Sequence, residues 1–114
     1  MELVRNKEKI EKFRERAKEL VSQMTLEEKA FQMLNGAPEI KRLNIKAYNW
    51  WNEALHGVAR AGVATVFPQA ISLAATFDED FLEKVGDAVS TEGRAKFNMQ
   101  QKFDDTDIYK GLTF

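Results

Sequence analysis

Four side chains within a short stretch have the types and spacing to bind a polar ligand. They are one acid, one imidazole and two neighbouring indoles: Trp50, Trp51, Glu53 and His56. A carboxylate accepts charge-assisted hydrogen bonds from hydroxyl groups, and an indole face packs against C–H-rich surfaces. On a strand the two indoles point to opposite sides, so at most one of them faces a given site. Each residue also has a structural interpretation: Glu53 on the surface or as a cap, the tryptophans in the core, and His56 in a turn before Gly57.

The composition excludes several classes of site. The 114 residues include no cysteine and one histidine, which excludes a disulfide scaffold, a cysteine nucleophile, a thiolate zinc site and a His-rich metal site. The net charge of -1 gives no electrostatic case for nucleic acid. The acidic cluster Asp104, Asp105 and Asp107 lacks the spacing and turn glycine of a calcium loop, so it is predicted to be a solvated loop. We expect no metal, no cofactor and no nucleic-acid partner.

The distribution of charge separates the outer segments from the middle. Residues 1–29 carry eight basic and seven acidic side chains, whereas residues 30–77 carry four and two. This pattern predicts solvated outer helices and a buried or site-forming middle. No apolar run approaches the roughly 20 residues of a membrane span, and the first residues lack the apolar stretch of a secretory signal. We expect no membrane partner and a cytoplasmic location.

Periodicity and capping signals predict the elements that position these residues. Apolar side chains at helical spacing predict an amphipathic helix over residues 7–23. Thr25 and Glu28 form a capping box, which predicts a short helix to about Leu34. The later predicted elements follow in order: strands over 47–51 and 63–67, a short buried helix over 69–75, a long helix over 79–97 capped by Asp78, a polar loop over 98–110, and the start of a strand over 111–114. This alternation predicts an α/β fold.

The block from Tyr48 to Ala59, YNWWNEALHGVA, resembles the N-terminal region of glycoside hydrolase family three, especially its β-xylosidase and β-glucosidase-like members. Four flanking segments resemble the family in the same order: residues 22–29, 65–71, 73–78 and 111–114. The resemblance covers about residues 14–114. Its signal is strong because several motifs occur in the right order.

The resemblance implies an incomplete, helix-rich N-terminal portion of a (β/α)8-like, TIM-type barrel. Residues 1–24 would be a leading amphipathic helix, and residues 25–114 the first βα units, ending inside a strand. A complete barrel takes about 250 residues. Family members retain configuration with two carboxyl groups, one as nucleophile and one as acid/base. Both lie beyond the strand where this sequence stops, so no catalytic residue is assigned and the chain alone is expected to be inactive.

The resemblance also implies roles in sugar binding. The acid that corresponds to Glu53 binds glycone hydroxyls in the family. Many glucosidases carry Asp there, and the longer Glu53 leaves less room beside the ring, which favours a pentose and places β-xylosides ahead of β-glucosides. By their side-chain types, and not by the resemblance, Trp50 and Trp51 offer stacking faces to a pyranose, and His56 offers a hydrogen bond near the site. A pair between Glu53 and Arg60 receives little weight.

The carbohydrate partner implied is a terminal β-xylosyl or β-glucosyl unit. The protein partner implied is the remainder of the barrel, or else a second copy of the chain through self-association. An open partial barrel leaves unpaired strand edges and exposed apolar faces. Two further interpretations stay open. A non-catalytic helical interaction module predicts a compact monomer whose aromatic block is buried and indifferent to sugar. A complementing half of a split enzyme predicts activity only on mixing.

Overall fold

The structure is a computed structural model that describes residues 7–114. Helices dominate its fold. The helices are α1 (Lys7–Gln23), α2 (Leu26–Phe31), α3 (Ala70–Ala74) and α4 (Glu79–Gln100), and the strands are β1 (Gly36–Ala37) and β2 (Tyr48–Asn49). Short 3-10 turns lie at Lys41–Leu43, Ala59–Ala61 and Gln101–Phe103. The helix predicted over residues 7–23 is confirmed, while the start of the leading segment, residues 1–6, lies outside the described residues.

The capping box at the start of α2 is confirmed. The Glu28 N–H donates to Thr25 Oγ1 at 3.1 Å, and the Thr25 N–H donates to Glu28 Oε2 at 2.8 Å. Helix α2 nevertheless ends at Phe31, before the predicted Leu34. The difference arises because the chain tightens into turns, in which the Leu34 N–H donates to the Phe31 carbonyl at 3.2 Å.

The sheet is a two-stranded antiparallel hairpin. Gly36 pairs with Asn49 and Ala37 with Tyr48. Ile40 and Ile45 continue the pairing, with the Ile40 N–H 2.8 Å from the Ile45 carbonyl. The strand predicted over 47–51 is limited to Tyr48–Asn49, because the N–H groups of Trp51 and Asn52 bond locally, to Asn49 and Trp50, instead of to β1.

Residues 63–67 do not form the predicted strand. The Thr65 N–H and hydroxyl instead donate to the Glu92 carboxylate of α4, at 3.1 and 2.6 Å. The Phe67 N–H donates to the His56 carbonyl at 2.9 Å. These bonds give the N–H groups of Thr65 and Phe67 partners without a neighbouring strand. The short helix predicted over 69–75 is confirmed as α3, but its predicted burial is wrong, because α3 has no buried residue and its Ile71 is exposed.

Helix α4 begins as predicted and ends later. The Phe81 N–H donates to Asp78 Oδ1 at 2.9 Å, which confirms the cap. The helix runs to Gln100 and a 3-10 turn follows to Phe103, so helical structure replaces the first part of the polar loop predicted over 98–110. Residues 111–114 form no strand in the described part of the chain, because side chains rather than a neighbouring strand hold them.

The core is small. Within residues 7–114 the buried apolar side chains are Ala37, Ile40 and Val58. Gly93 of α4 is buried beside Val58 and Phe114. The helix-rich fold with a single hairpin is compatible with part of an α/β domain, whereas the barrel and the division at residue 24 stay predictions. No helix in residues 7–114 has the length and apolar character to cross a membrane; the cytoplasmic location stays a prediction.

Candidate functional site

The segment after β2 is fixed by its backbone. The Trp50 N–H donates to the Asn35 carbonyl at 2.7 Å. The Trp51 N–H donates to the Asn49 side-chain oxygen at 2.9 Å. The Trp51 carbonyl accepts from the Tyr109 N–H at 2.9 Å. Both the N–H and the carbonyl of Trp51 are thus hydrogen-bonded. They fix the backbone two residues before Glu53.

Asn52 and Tyr48 join this segment to residues 111–113. The Gly111 N–H donates to Asn52 Oδ1 at 2.6 Å, and the Leu112 N–H donates to the Tyr48 hydroxyl at 2.7 Å. Asn52 Nδ2 also donates to Thr113 Oγ1 at 2.9 Å. A Cβ added at Gly111 would lie 2.5 Å from both Asn52 Nδ2 and the Tyr48 hydroxyl. Only glycine allows this close approach.

Glu53 forms an ion pair with Arg60. Arg60 Nε lies 2.9 Å from Glu53 Oε1. Arg60 Nη1 donates to the Tyr109 hydroxyl at 2.8 Å, and the guanidinium carbon lies 5.2 Å from the centre of the Tyr109 ring. The Tyr109 hydroxyl and then the Glu53 charge raise the pKa of Arg60 above its usual value. The pair given little weight from the sequence is therefore present, with Tyr109 as a third member.

The two tryptophans lie in different surroundings, and neither belongs to the core. Trp50 is 52% exposed and Trp51 is 57% exposed. Trp50 packs edge-to-face on Tyr48, with ring centres 5.0 Å apart. It also lines a groove of about 560 Å³ with Leu20 of α1 and with Met24, which follows that helix. Because β2 ends at Asn49, the strand alternation expected for Trp50 and Trp51 does not apply.

His56 lies in a tight turn. The Gly57 N–H donates to the Ala54 carbonyl at 3.2 Å, and the His56 carbonyl accepts from Phe67. Gly57 has a φ of 95°, in the left-handed region that favours glycine. The half-buried His56 therefore has a backbone role in this turn, while its predicted hydrogen bond near a sugar stays a prediction.

The structure groups some predicted residues and separates others. The backbone of Trp51 bonds to Tyr109, and Arg60 links Glu53 to the same tyrosine, whereas Trp50 faces the groove beside α1. Tyr109 and Asn52 are not among the residues predicted from the sequence. Their contacts with Arg60 and Gly111 span 49 and 59 residues, so no local pattern indicates them.

The acidic cluster forms ion pairs with lysines. Asp104 Oδ1 lies 2.5 Å from Lys46 Nζ, and Asp105 pairs with Lys110. Hydrogen bonds from these lysines lower the pKa of both carboxyl groups. Over residues 7–114, no group of three or more His, Cys, Asp or Glu side chains is arranged to hold a metal ion. The absence of a metal or cofactor stays a prediction.

Comparison with known proteins gives relatives that are named xylosidases. The chain is 52% identical over 85 residues to a xylan 1,4-β-xylosidase of Xylanibacter ruminicola, a match that covers 75% of this chain and 10% of that protein. It is 50% identical over 91 residues to a probable exo-1,4-β-xylosidase of Neosartorya fischeri, covering 70% and 12%. It is 43% identical over 109 residues to probable β-D-xylosidase 7 of Arabidopsis thaliana, covering 87% and 13%.

The chain spans about a tenth of the length of these curated relatives. No family model matches the chain, and no solved structure matches it.

Proposed function

This chain is a relative of the β-xylosidases, as its resemblance to glycoside hydrolase family three predicted, and on that premise we propose that it forms part of a retaining glycoside hydrolase. The enzyme acts on terminal β-linked sugars, with β-xylosides ahead of β-glucosides. The observation that carries the proposal is the identity of 43–52% to proteins named xylosidases, over 70–87% of this chain. Part of a (β/α)8-like barrel is the architecture that we propose for it.

Glu53 is the residue that we propose to bind the sugar. Its side chain is 37% exposed, so a ligand has access to it. Oxygen Oε1 lies 2.9 Å from Arg60 Nε. A carboxylate has about four lone-pair sites, so Glu53 keeps capacity for hydroxyl donors. Trp51 supports the proposal as an exposed aromatic face nearby in the chain. Trp50 and His56 stay secondary candidates for the same sugar.

The experiment joins this chain to the remaining part of a related β-xylosidase, by mixing or co-expression, and measures hydrolysis of aryl β-xyloside and aryl β-glucoside. Losing a charged hydrogen-bond acceptor costs about 1.5–3 kcal/mol, so Glu53→Gln should lower kcat/KM by roughly 10- to 100-fold. Glu53→Asp introduces the shorter acid and should shift the substrate preference from the xyloside toward the glucoside. Glu39→Gln is the matched control, because Glu39 is an exposed acid that pairs with Lys41 instead. Equal activity in Glu53→Gln and Glu39→Gln would refute the role of Glu53.

The remainder of the barrel is the partner that we propose for the exposed apolar side chains. Large apolar residues are exposed along the segment from Val63 to Phe77 and again at Phe114. Exposed apolar surface of this kind marks an interface or leads to aggregation. We therefore expect the isolated chain to be inactive and to self-associate, and the mixture to be active. Sedimentation of the isolated chain as a cooperative monomer would contradict this expectation.

The non-catalytic helical module remains the alternative function. That interpretation requires a buried aromatic block, and the exposure of Trp50 and Trp51 weighs against it. It predicts no hydrolysis with any complementing partner, so the mixing experiment separates the two functions.

A further inference from the structure

We propose that Arg60, supported by Tyr109, is a positioning residue that fixes the direction of the Glu53 carboxylate toward the sugar. This inference rests on the proposed function, because it assigns Glu53 the sugar contact. It adds a role for Arg60, which contacts Glu53, and for Tyr109, which contacts Arg60. Neither residue is assigned a contact with the reacting atoms.

The guanidinium group of Arg60 holds two partners at once. Its Nε lies 2.9 Å from Glu53 Oε1, and its Nη1 donates to the Tyr109 hydroxyl at 2.8 Å. Because guanidinium is planar and rigid, a second partner restricts its rotation beside the first. The guanidinium carbon also lies 5.2 Å from the centre of the Tyr109 ring. Arg60 therefore holds Oε1 in place, and the other carboxylate oxygen is the one that we assign to the ligand.

Tyr109 is itself fixed against the same segment. Its N–H donates to the Trp51 carbonyl at 2.9 Å. Its φ of 65° lies in the left-handed region, which a non-glycine residue occupies only where its surroundings hold it. A turn encloses it, since the Lys110 N–H donates to the Asp107 carbonyl at 3.3 Å. The hydroxyl that faces Arg60 is thus carried by a backbone attached to the chain near Glu53.

The turn that carries Arg60 is fixed from the other side. Arg60 lies in the 3-10 turn Ala59–Ala61, and Lys96 of α4 donates to the Ala61 carbonyl at 3.2 Å. Arg60 therefore lies in a turn that is bonded to α4. Its side chain joins the loop that carries Tyr109 to the segment that carries Glu53.

Exposure indicates that this pair acts on orientation more than on stability. The Arg60 side chain is 61% exposed and that of Glu53 is 37% exposed. Ion pairs in solvent contribute little to folding, because water and salt screen them. Removing Arg60 should therefore change sugar hydrolysis clearly while leaving the unfolding midpoint nearly unchanged.

A double-mutant cycle tests the inference in the chain assembled with the remaining part of a related β-xylosidase. The variants are Arg60→Met, Glu53→Gln and their combination, assayed on aryl β-xyloside. We expect Arg60→Met to lower kcat/KM about tenfold and to have little further effect once Glu53→Gln is present, because residues in one network are non-additive. Arg60→Lys keeps the charge and loses the fork, so it should recover only part of the activity.

Tyr109→Phe keeps the ring and removes the hydroxyl, so it serves where Arg60→Met fails to fold. It should lower kcat/KM about two- to fivefold, and only while Glu53 is present. Additive effects of Arg60→Met and Glu53→Gln, or full activity in both Arg60→Met and Tyr109→Phe, would overturn the positioning role and leave the sugar role of Glu53 intact. No effect of Glu53→Gln would overturn both proposals.

Discussion

A methyl group at Gly57 should disrupt the turn that carries His56. Gly57 has a φ of 95°, and an added Cβ would lie 2.4 Å from the Thr65 carbonyl oxygen and 3.3 Å from the Phe67 ring. The oxygen belongs to the backbone, so no side-chain rotation relieves the contact. Gly57→Ala must therefore displace the segment around Thr65 or the turn itself.

Two effects set the magnitude for Gly57→Ala. A non-glycine residue in a strained backbone region costs about 1–3 kcal/mol. Displacing Thr65 also weakens the 2.9 Å hydrogen bond from the Phe67 N–H to the His56 carbonyl, which is worth about 1 kcal/mol. We expect the free energy of unfolding to fall by roughly 2–4 kcal/mol.

Urea unfolding followed by circular dichroism measures this change, with Gly86→Ala as the matched control. An added Cβ at Gly86 meets nothing within 4 Å, and Gly86 lies inside α4. Gly86→Ala should therefore stabilise the chain by about 0.5–1 kcal/mol. Amide exchange at Phe67 should accelerate in Gly57→Ala and not in Gly86→Ala. Equal stability of the two variants would refute the reasoning about this turn.

Three further predictions concern stability. Asp78→Ala removes the cap of α4 and should lower the free energy of unfolding by about 1 kcal/mol in urea titration, whereas Asp78→Asn should change little. Glu92→Ala removes both acceptors of Thr65 and should destabilise by about 1–3 kcal/mol; normal protection of the Thr65 amide in hydrogen exchange would contradict this. A hydrogen bond from Arg42, and next the Thr25 N–H, lowers the pKa of Glu28 below 4.5. This stabilisation is present above pH 4.5 and is lost as pH falls through the lowered pKa, so the melting temperatures of wild type and Arg42→Met should converge in acid.

The helices were predictable because their signals are local. The Thr25 hydroxyl reaches an N–H three residues later, and Asp78 does the same at α4. The ends of helices were less predictable. Helix α2 ended early because of turns after Phe31, and α4 continued to Gln100 through residues that read as a polar loop.

The strands were not predictable, because a strand needs a partner that a local pattern does not specify. The β-branched run over 63–67 reads as a strand, but Glu92, 27 residues away from Thr65, takes its hydrogen bonds. Of the run over 47–51, only Tyr48 and Asn49 pair, because β1 is two residues long.

The candidate site was partly predictable. The resemblance selected the segment that holds Trp51 and Glu53, and Arg60 was close enough in sequence to be considered as a partner. Tyr109 was missed because it belongs to a loop whose position depends on the tertiary fold. Whether Glu53 binds a sugar stays a prediction.

The bonds between the segment after β2 and residues 111–113 have a consequence for synthesis. Asn52 is made 59 residues before Gly111, and Tyr48 is made 64 residues before Leu112. Ribosomes add about 5–20 residues per second, so Asn52 waits about 3–12 s for its partner. During that interval Asn52 Nδ2 has its local partner, the Asn49 carbonyl, whereas the partner of its Oδ1 has not been made. Attachment of residues 111–113 is therefore a late step in folding, and a nascent chain that stops before Gly111 keeps this closure open.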